Sequence, residues 1–392
     1  MERKVYLDSA ATTYVGVEAM NEMMPCFNIL YGNSSSLHSF GREATRVVDI
    51  ARDRVAHAIN AKSNEIYFTS GGTEANNWAI KGIAHANSFK GRHIITSAIE
   101  HESILESCRQ LEKEGFEVTY IGVDSNGLVS LADILHHIRK DTILISIMAA
   151  NNEVGTIQNI KAIAQTAHEN GILFHTDAVQ AVGAFKIDVQ DMGIDLMTIS
   201  SHKLYGPKGC GALYIRSGVK IDNLIDGGNQ ERKKRGGTTN VPAIAGFGKA
   251  IEVAVRDLIV NQQKIKKLRE YFIKQVTEKI DLIQINGHPY QKVQGIVSIS
   301  FNLIEGESIL LLLDMEGIAV STGSACTSGS LEPSHVLKAM GVADEISQGT
   351  IRFSFGKSIT KEDIDYVVEK LVTVVAKLRS ISPMTKGRMK NV

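Results

Sequence analysis

The chain has 392 residues, 43% hydrophobic and 22% charged, the balance of an ordinary soluble globular protein with room for two domains. Its 43 Lys and Arg cancel its 43 Asp and Glu, so no global charge draws it to nucleic acid or to an anionic membrane. The longest apolar run, Ile309 to Leu313, is too short to span a bilayer, and the opening residues hold no apolar stretch of signal-peptide length; the expected location is the cytoplasm.

From residue 64 to 216, short β-rich runs alternate with helix-like stretches. The runs fall at 66–69, 93–97, 118–123, 143–148, 172–175, 196–200 and 212–215, with helical signals such as 74–86 and 160–169 between them. This alternation predicts an α/β architecture with a mostly parallel central sheet flanked by helices, and a ligand crevice at the carboxyl ends of the strands. A Gly- and charge-rich loop at 226–239 follows, then a helical stretch over 241–278. Separated strands come next at 297–301, 318–321 and 350–355. A last helix begins after Thr360, where Thr360 and Asp363 have capping-box spacing. The expected division is a large domain at 15–258 and a smaller α+β domain built from 1–14 and 259–392.

Chemistry enters at strand ends. Lys203, in Ser200-Ser201-His202-Lys203, closes a buried strand, where an amine is costly unless it is neutralised or used. An imine with a cofactor aldehyde would neutralise it, although a surface strand-to-loop turn also accommodates a lysine. Asp177, 26 residues upstream at another strand end, could hold a proton on a pyridine nitrogen or cap a helix. Ser70-Gly71-Gly72-Thr73-Glu74 opens a helix whose free N–H groups suit a phosphate. His101 could lie flat on a ring. In 350–355, Ile351, Phe353 and Phe355 alternate with Thr350, Arg352 and Ser354, so Arg352 points away from the packed side, toward a carboxylate or a surface salt bridge.

These segments, in this order, resemble the fold-type I pyridoxal-phosphate (PLP) enzymes of the class V aminotransferase group, and within it the cysteine desulfurases of the NifS and IscS branch. The resemblance runs nearly end to end. It is carried by SGGTEANN at 70–77, EH at 100–101, ANNEVGT at 150–156, FHTDAVQAVG at 174–183 and SSHKLYGPKG at 200–209. It continues with RGGT at 235–238, STGSACTSGSLEPSHVL at 321–337 and IRFSFG at 351–356. Ser34 stands where the family pattern has proline. The resemblance implies that Lys203 bonds to the PLP aldehyde, Asp177 faces the ring nitrogen and His101 stacks on the ring. Gln180 and Asn152 would flank the phenolic oxygen. Gly72, Thr73, Ser200 and His202 would hold the phosphate, joined by Thr238 from a neighbouring subunit, which implies a homodimer. Asn33, Asn152 and Arg352 would hold the substrate carboxylate.

Cys26, Cys108, Cys210 and Cys326 are far apart and form no CxxC, against a disulfide framework or cysteine-held zinc. Cys326 differs from the other three in its setting, a run of small and hydroxylated residues with glycines at 323 and 329. The resemblance makes it the nucleophile, on a loop at about 321–332, that removes sulfur from L-cysteine as a persulfide and leaves L-alanine. Expected acceptors are an iron–sulfur scaffold protein and tRNA-thiolation enzymes. No intrinsic metal site is expected, with Cys326 open only to transient iron–sulfur ligation. A selenocysteine lyase or a class V aminotransferase is the alternative.

Overall fold

The computed structural model describes residues 3–323 and 333–382. In chain order the strands are β1 (Val5–Tyr6), β2 (Ile66–Thr69), β3 (His93–Ser97), β4 (Glu117–Ile121), β5 (Thr142–Ser146), β6 (Leu173–Asp177), β7 (Leu196–Ser200), β8 (Gly211–Ile215), β9 (Ile283–Asn286), β10 (Ile296–Phe301), β11 (Ile318–Ala319), β12 (Ser321–Thr322) and β13 (Thr350–Ser354). Seven of them form the central sheet, in the order β2-β8-β7-β6-β5-β3-β4. All run parallel except β8, which is antiparallel to β2 and β7.

Every residue of β3, β5, β7 and β8 is buried, which is why these runs read as continuous apolar segments rather than alternating ones. The period-two alternation appears instead in which layer each residue enters. Ile94, Leu144, Leu196 and Leu213 pack with Trp78 and Ile80 of the helix Gly72–Asn87. Their neighbours Ile95, Ile145, Met197 and Ala212 pack on the other face with Phe247 and Ile251 of the helix Val241–Arg256.

A second core forms around a four-stranded antiparallel sheet, β12-β13-β10-β9. Ile351, Phe353 and Phe355 enter it, and Phe272 lies 4.9 Å from Phe353 between ring centroids. The helices Leu258–Lys279 and Lys361–Ile381 cover that face, and the latter starts at the expected capping box of Thr360 and Asp363. The chain's first strand, β1, pairs with β11, so the N-terminal segment returns to this second core.

Two expectations are corrected. The helical stretch at 241–278 is two helices, because Asp257 leaves the helical region (φ −96, ψ 6) and turns the chain from one core to the other. Arg352 does point away from the apolar face of β13, but that second face is covered too: Arg352 is only 3% exposed, so a surface salt bridge is ruled out.

Candidate functional site

The parallel strands bring their carboxyl ends to one edge of the central sheet. There stand Ser70–Thr73 after β2, Glu100 and His101 after β3, Asn151 and Asn152 after β5, Asp177 at the end of β6, and Ser200 at the end of β7. Lys203 follows on the short 3-10 turn Ser201–Lys203.

The Lys203 amine donates to the backbone carbonyl of Ala10 and, at 2.7 Å, to that of Ala11. Gln180 Nε2 donates to the same Ala10 carbonyl at 3.0 Å. Lysine and glutamine therefore meet over the N-terminal segment. Asp177, 6% exposed, is held from two sides: Oδ1 accepts from the Val179 N–H at 2.9 Å and Oδ2 from Asn76 Nδ2 at 2.7 Å. It makes a local Asx turn rather than capping a helix. Asn76 Nδ2 also donates to Ser103 Oγ at 2.8 Å, and Ser103 Oγ lies 2.8 Å from His101 Nδ1. A chain of polar contacts thus runs from Asp177 through Asn76 and Ser103 to His101. Because His101 Nδ1 accepts the Ser103 N–H at 3.1 Å, capping the helix Glu102–Lys113, its ring proton belongs on Nε2. Asn76 and Ser103 have no role in the sequence reading. Asn76 lies inside the SGGTEANN motif, but only the fold shows that it reaches Asp177.

The phosphate end has an independent signature. The helix Gly72–Asn87 begins at Gly71, whose φ of 155 suits glycine, and no side chain caps it, which leaves its first-turn N–H groups to an anion. A Cβ on Gly72 would sit 3.0 Å from Val179 Cγ2 and 3.5 Å from Ser200 Cβ, so glycine keeps this approach open. Ser200 Oγ is buried with no hydrogen-bond partner among the described residues. Burial, with Lys203 and Lys208 nearby, pushes the His202 imidazole down to about 4, so it is neutral at pH 7. Its Nδ1 lies 3.1 Å from Thr12 Oγ1. An orphaned hydroxyl and an uncapped helix start, together with a buried carboxylate and a lysine amine at neighbouring strand ends, fit PLP: Ser200, His202, Gly72 and Thr73 for its phosphate, Asp177 for its ring nitrogen, Lys203 for its aldehyde.

Arg352 Nη1 donates to the Asn152 carbonyl and Nη2 to Asp8 Oδ1, both at 3.0 Å, while its buried Nε has no partner. Asp8 also accepts from Ser321 Oγ at 2.8 Å. The same turn holds a neighbour that the sequence reading missed: Glu153, buried, accepts from Ser334 Oγ.

Glu100, just after β3, is fully buried. Its Oε1 accepts from Ser97 Oγ and the Met148 N–H, both at 2.7 Å, and its Oε2 has no partner. Burial pushes its carboxyl up to about 8, so the folded protein holds a proton there that an unfolded chain releases above about 4.3. Between those values the native state binds more protons, and stability falls as pH rises. Glu100→Gln keeps the shape and removes the titration. Its melting temperature relative to the parent should therefore climb from pH 5.5 to pH 8.5; a pH-independent difference would contradict this account.

Two expected members are not brought into this cluster by the single chain. Asn33 is exposed on the 32–38 loop, its Oδ1 accepting from the Ser35 N–H at 2.9 Å. Thr238 is exposed as well. It follows a strained turn in which Glu231, Arg232 and Lys233 have φ of 43, 58 and 67. Arg52 holds that turn through a two-pronged pair with Glu231 at 2.7 and 2.8 Å, and Arg232 lies over the Tyr67 ring. Cys326 lies outside the described residues. Cys26, Cys108 and Cys210 are buried free thiols. A cavity of about 420 Å³ adjoins Lys203 and Gln180 between the two cores.

Residues 5–367 match the family model for class-V aminotransferases. A cysteine desulfurase IscS of Dictyoglomus turgidum is 53% identical over 383 residues, 98% of this chain and 97% of that protein. One of Methanosarcina thermophila is 54% identical over 98% of this chain and 95% of its own length. A solved NifS-like protein superposes with a TM-score of 0.91 at 39% identity, covering 96% of this chain and all of its own.

Proposed function

Because the chain belongs to the class-V aminotransferase family, we propose that it is a PLP-dependent cysteine desulfurase, converting L-cysteine to L-alanine and passing the sulfur to acceptors. The observation that carries the reading is the meeting of Lys203, Gln180, Asp177 and His101 at one sheet edge, with the buried guanidinium of Arg352 on the Asn152 turn beside it. PLP, when bound, supplies an electron sink for the charge that develops at the substrate Cα.

Arg352, with Asn152, binds the substrate carboxylate and orients the Cα–H bond, and Asn33 would join them from its exposed 32–38 loop. Lys203 Nζ takes the Cα proton and later returns a proton to carbon. Asp177, fixed by Asn76 and Val179, would hold the proton on the ring nitrogen of bound PLP. With PLP bound, His101, held by Ser103, would pack on the ring face, and Gln180 would donate toward the phenolic oxygen. The Cys326 thiolate attacks the substrate sulfur: an S–S bond forms, the Cβ–S bond breaks, and the electron pair remains with the carbon skeleton that leaves as alanine. One cysteine and one thiol thus give one alanine and one persulfide.

The working unit is a homodimer in which Thr238 of the partner subunit completes the phosphate contacts. Exposed Val17, Met24, Phe27, Ile29 and Leu37 supply apolar surface for the second copy, and the clamped 231–233 turn presents Thr238 outward. The two cores support a division into a large domain at 15–258 and a smaller one at 1–14 and 259–392. An iron–sulfur scaffold protein and tRNA-thiolation enzymes are the proposed acceptors.

The test is product stoichiometry. With L-cysteine and a thiol reductant, holoenzyme should release alanine and sulfide one to one, unchanged by added keto acid. Alanine without sulfide, or turnover that needs the keto acid, would favour transamination instead.

A further inference from the structure

Two nearly buried cations stand where a helix meets the segment before β10, and among the described residues no buried carboxylate pairs with either. Arg269, on the helix Leu258–Lys279, is 7% exposed, and Lys292, just before β10, is 4% exposed. Among the described residues, Arg269 Nε and Nη1 have no hydrogen-bond partner, and neither has the buried Oε1 of Gln294. The acid nearest to Arg269 is Glu270, 3.7 Å from Nη2 and 55% exposed, beyond hydrogen-bond range and turned to solvent. The Lys292 amine has no ion pair or hydrogen bond among the described residues.

The helix and the segment touch here. A Cβ on Gly295 would lie 3.8 Å from Ile265 Cγ2, one helical turn before Arg269. Gln294 folds back so that its Nε2 donates to the Lys292 carbonyl at 3.1 Å. Burial, and then the charge of Arg269, depress the Lys292 amine to about 8. An unmatched buried charge is costly, and two like charges side by side cost more. Structural cations of this kind are normally paired, as Arg52 is with Glu231.

We propose that Arg269, Lys292 and Gln294 form a binding site for a small divalent oxyanion, hydrogen phosphate in the first instance. The guanidinium Nε and Nη1 and the ammonium donate to its oxygens, and its one hydroxyl donates to Gln294 Oε1. The site is separate from the cofactor's phosphate cradle, and it adjoins the turn that carries Asn152: Val293 N–H donates to the Gly155 carbonyl at 2.8 Å, and Lys292 bridges Thr156.

The experiment uses holoenzyme, so that the cofactor fills its own cradle, and inorganic phosphate as the probe at pH 7. Thermal unfolding is compared in phosphate and in chloride at matched ionic strength. Parent enzyme should melt a few degrees higher in phosphate, the rise expected once ligand exceeds Kd by about 100-fold. Lys292→Met and Arg269→Met should both lose that increment. Lys292→Met should melt above the parent in chloride, where an unmatched charge has gone. Calorimetric titration should give one saturable phosphate site per chain, absent from Lys292→Met. The proposal is overturned if phosphate gives the parent no increment, or if the variants keep it. It also fails if Lys292→Met is destabilised equally in both salts, as when a carboxylate of a second copy already pairs the amine. None of these readouts depends on turnover, so they stand apart from the desulfurase reading.

Discussion

Lys203→Ala should abolish turnover and with it the visible absorbance of lysine-bound PLP. The loss follows from two duties on one amine. Lys203 sits on a 3-10 turn at the end of a buried strand, where its Nζ is directed by the carbonyls of Ala10 and Ala11 rather than left to solvent. A positioned general base alone is worth about 10²- to 10⁴-fold in rate, and loss of the covalent attachment adds to that. The expected fall in kcat is therefore at least about 10³-fold. The fold should persist, because the side chain is only half-buried and the Ala10 and Ala11 carbonyls it donates to belong to the backbone. PLP should still bind through Asp177, Ser200 and the helix start at Gly71. Turnover within a few-fold of the parent would remove Lys203 from the chemistry.

Cys326→Ser should separate cofactor chemistry from sulfur transfer. The variant should bind PLP and show the parental absorbance, since no group proposed to hold the cofactor is changed. Sulfide release with a reductant should fall by about 10³-fold or more, because a serine hydroxyl is not ionised near neutral pH whereas a thiol is a few per cent thiolate and intrinsically nucleophilic. The three other cysteines cannot substitute. Cys26, Cys108 and Cys210 are buried, and burial pushes the Cys108 thiol up to about 12 and Cys210 higher still, so neither ionises. Parental sulfide release from Cys326→Ser would assign the nucleophile elsewhere.

The central sheet was legible in the sequence because its strands are buried on both faces and separated by amphipathic helices. Runs such as Thr142–Ser146 then stand out without any knowledge of their neighbours. Lys203, Asp177 and the Gly71-Gly72 turn were legible for a related reason: each is a polar or small residue at the end of such a run. What the sequence left open was contact between distant segments. The alternation in Thr350–Ser354 says which way Arg352 points, but not that Asp8 and the Asn152 carbonyl meet it 344 and 200 positions away. Asn76 and Ser103 are ordinary helix residues until the fold sets Asn76 Nδ2 between Asp177 Oδ2 and Ser103 Oγ, and Ser103 against His101. The break at Asp257 was hidden because both flanking segments are good helix formers, and only the change of core requires a bend. Three left-handed residues at 231–233 have no sequence signature, since none is glycine; the Arg52 fork and the Tyr67 ring hold them.

The sulfur's resting place is the most direct test of the whole account. Holoenzyme mixed with L-cysteine and no reductant should be digested, and the peptide bearing Cys326 weighed. The account predicts that this peptide, and no peptide carrying Cys26, Cys108 or Cys210, gains the mass of one sulfur atom, in step with one alanine released per site. Alanine formed while Cys326 stays unmodified would contradict it.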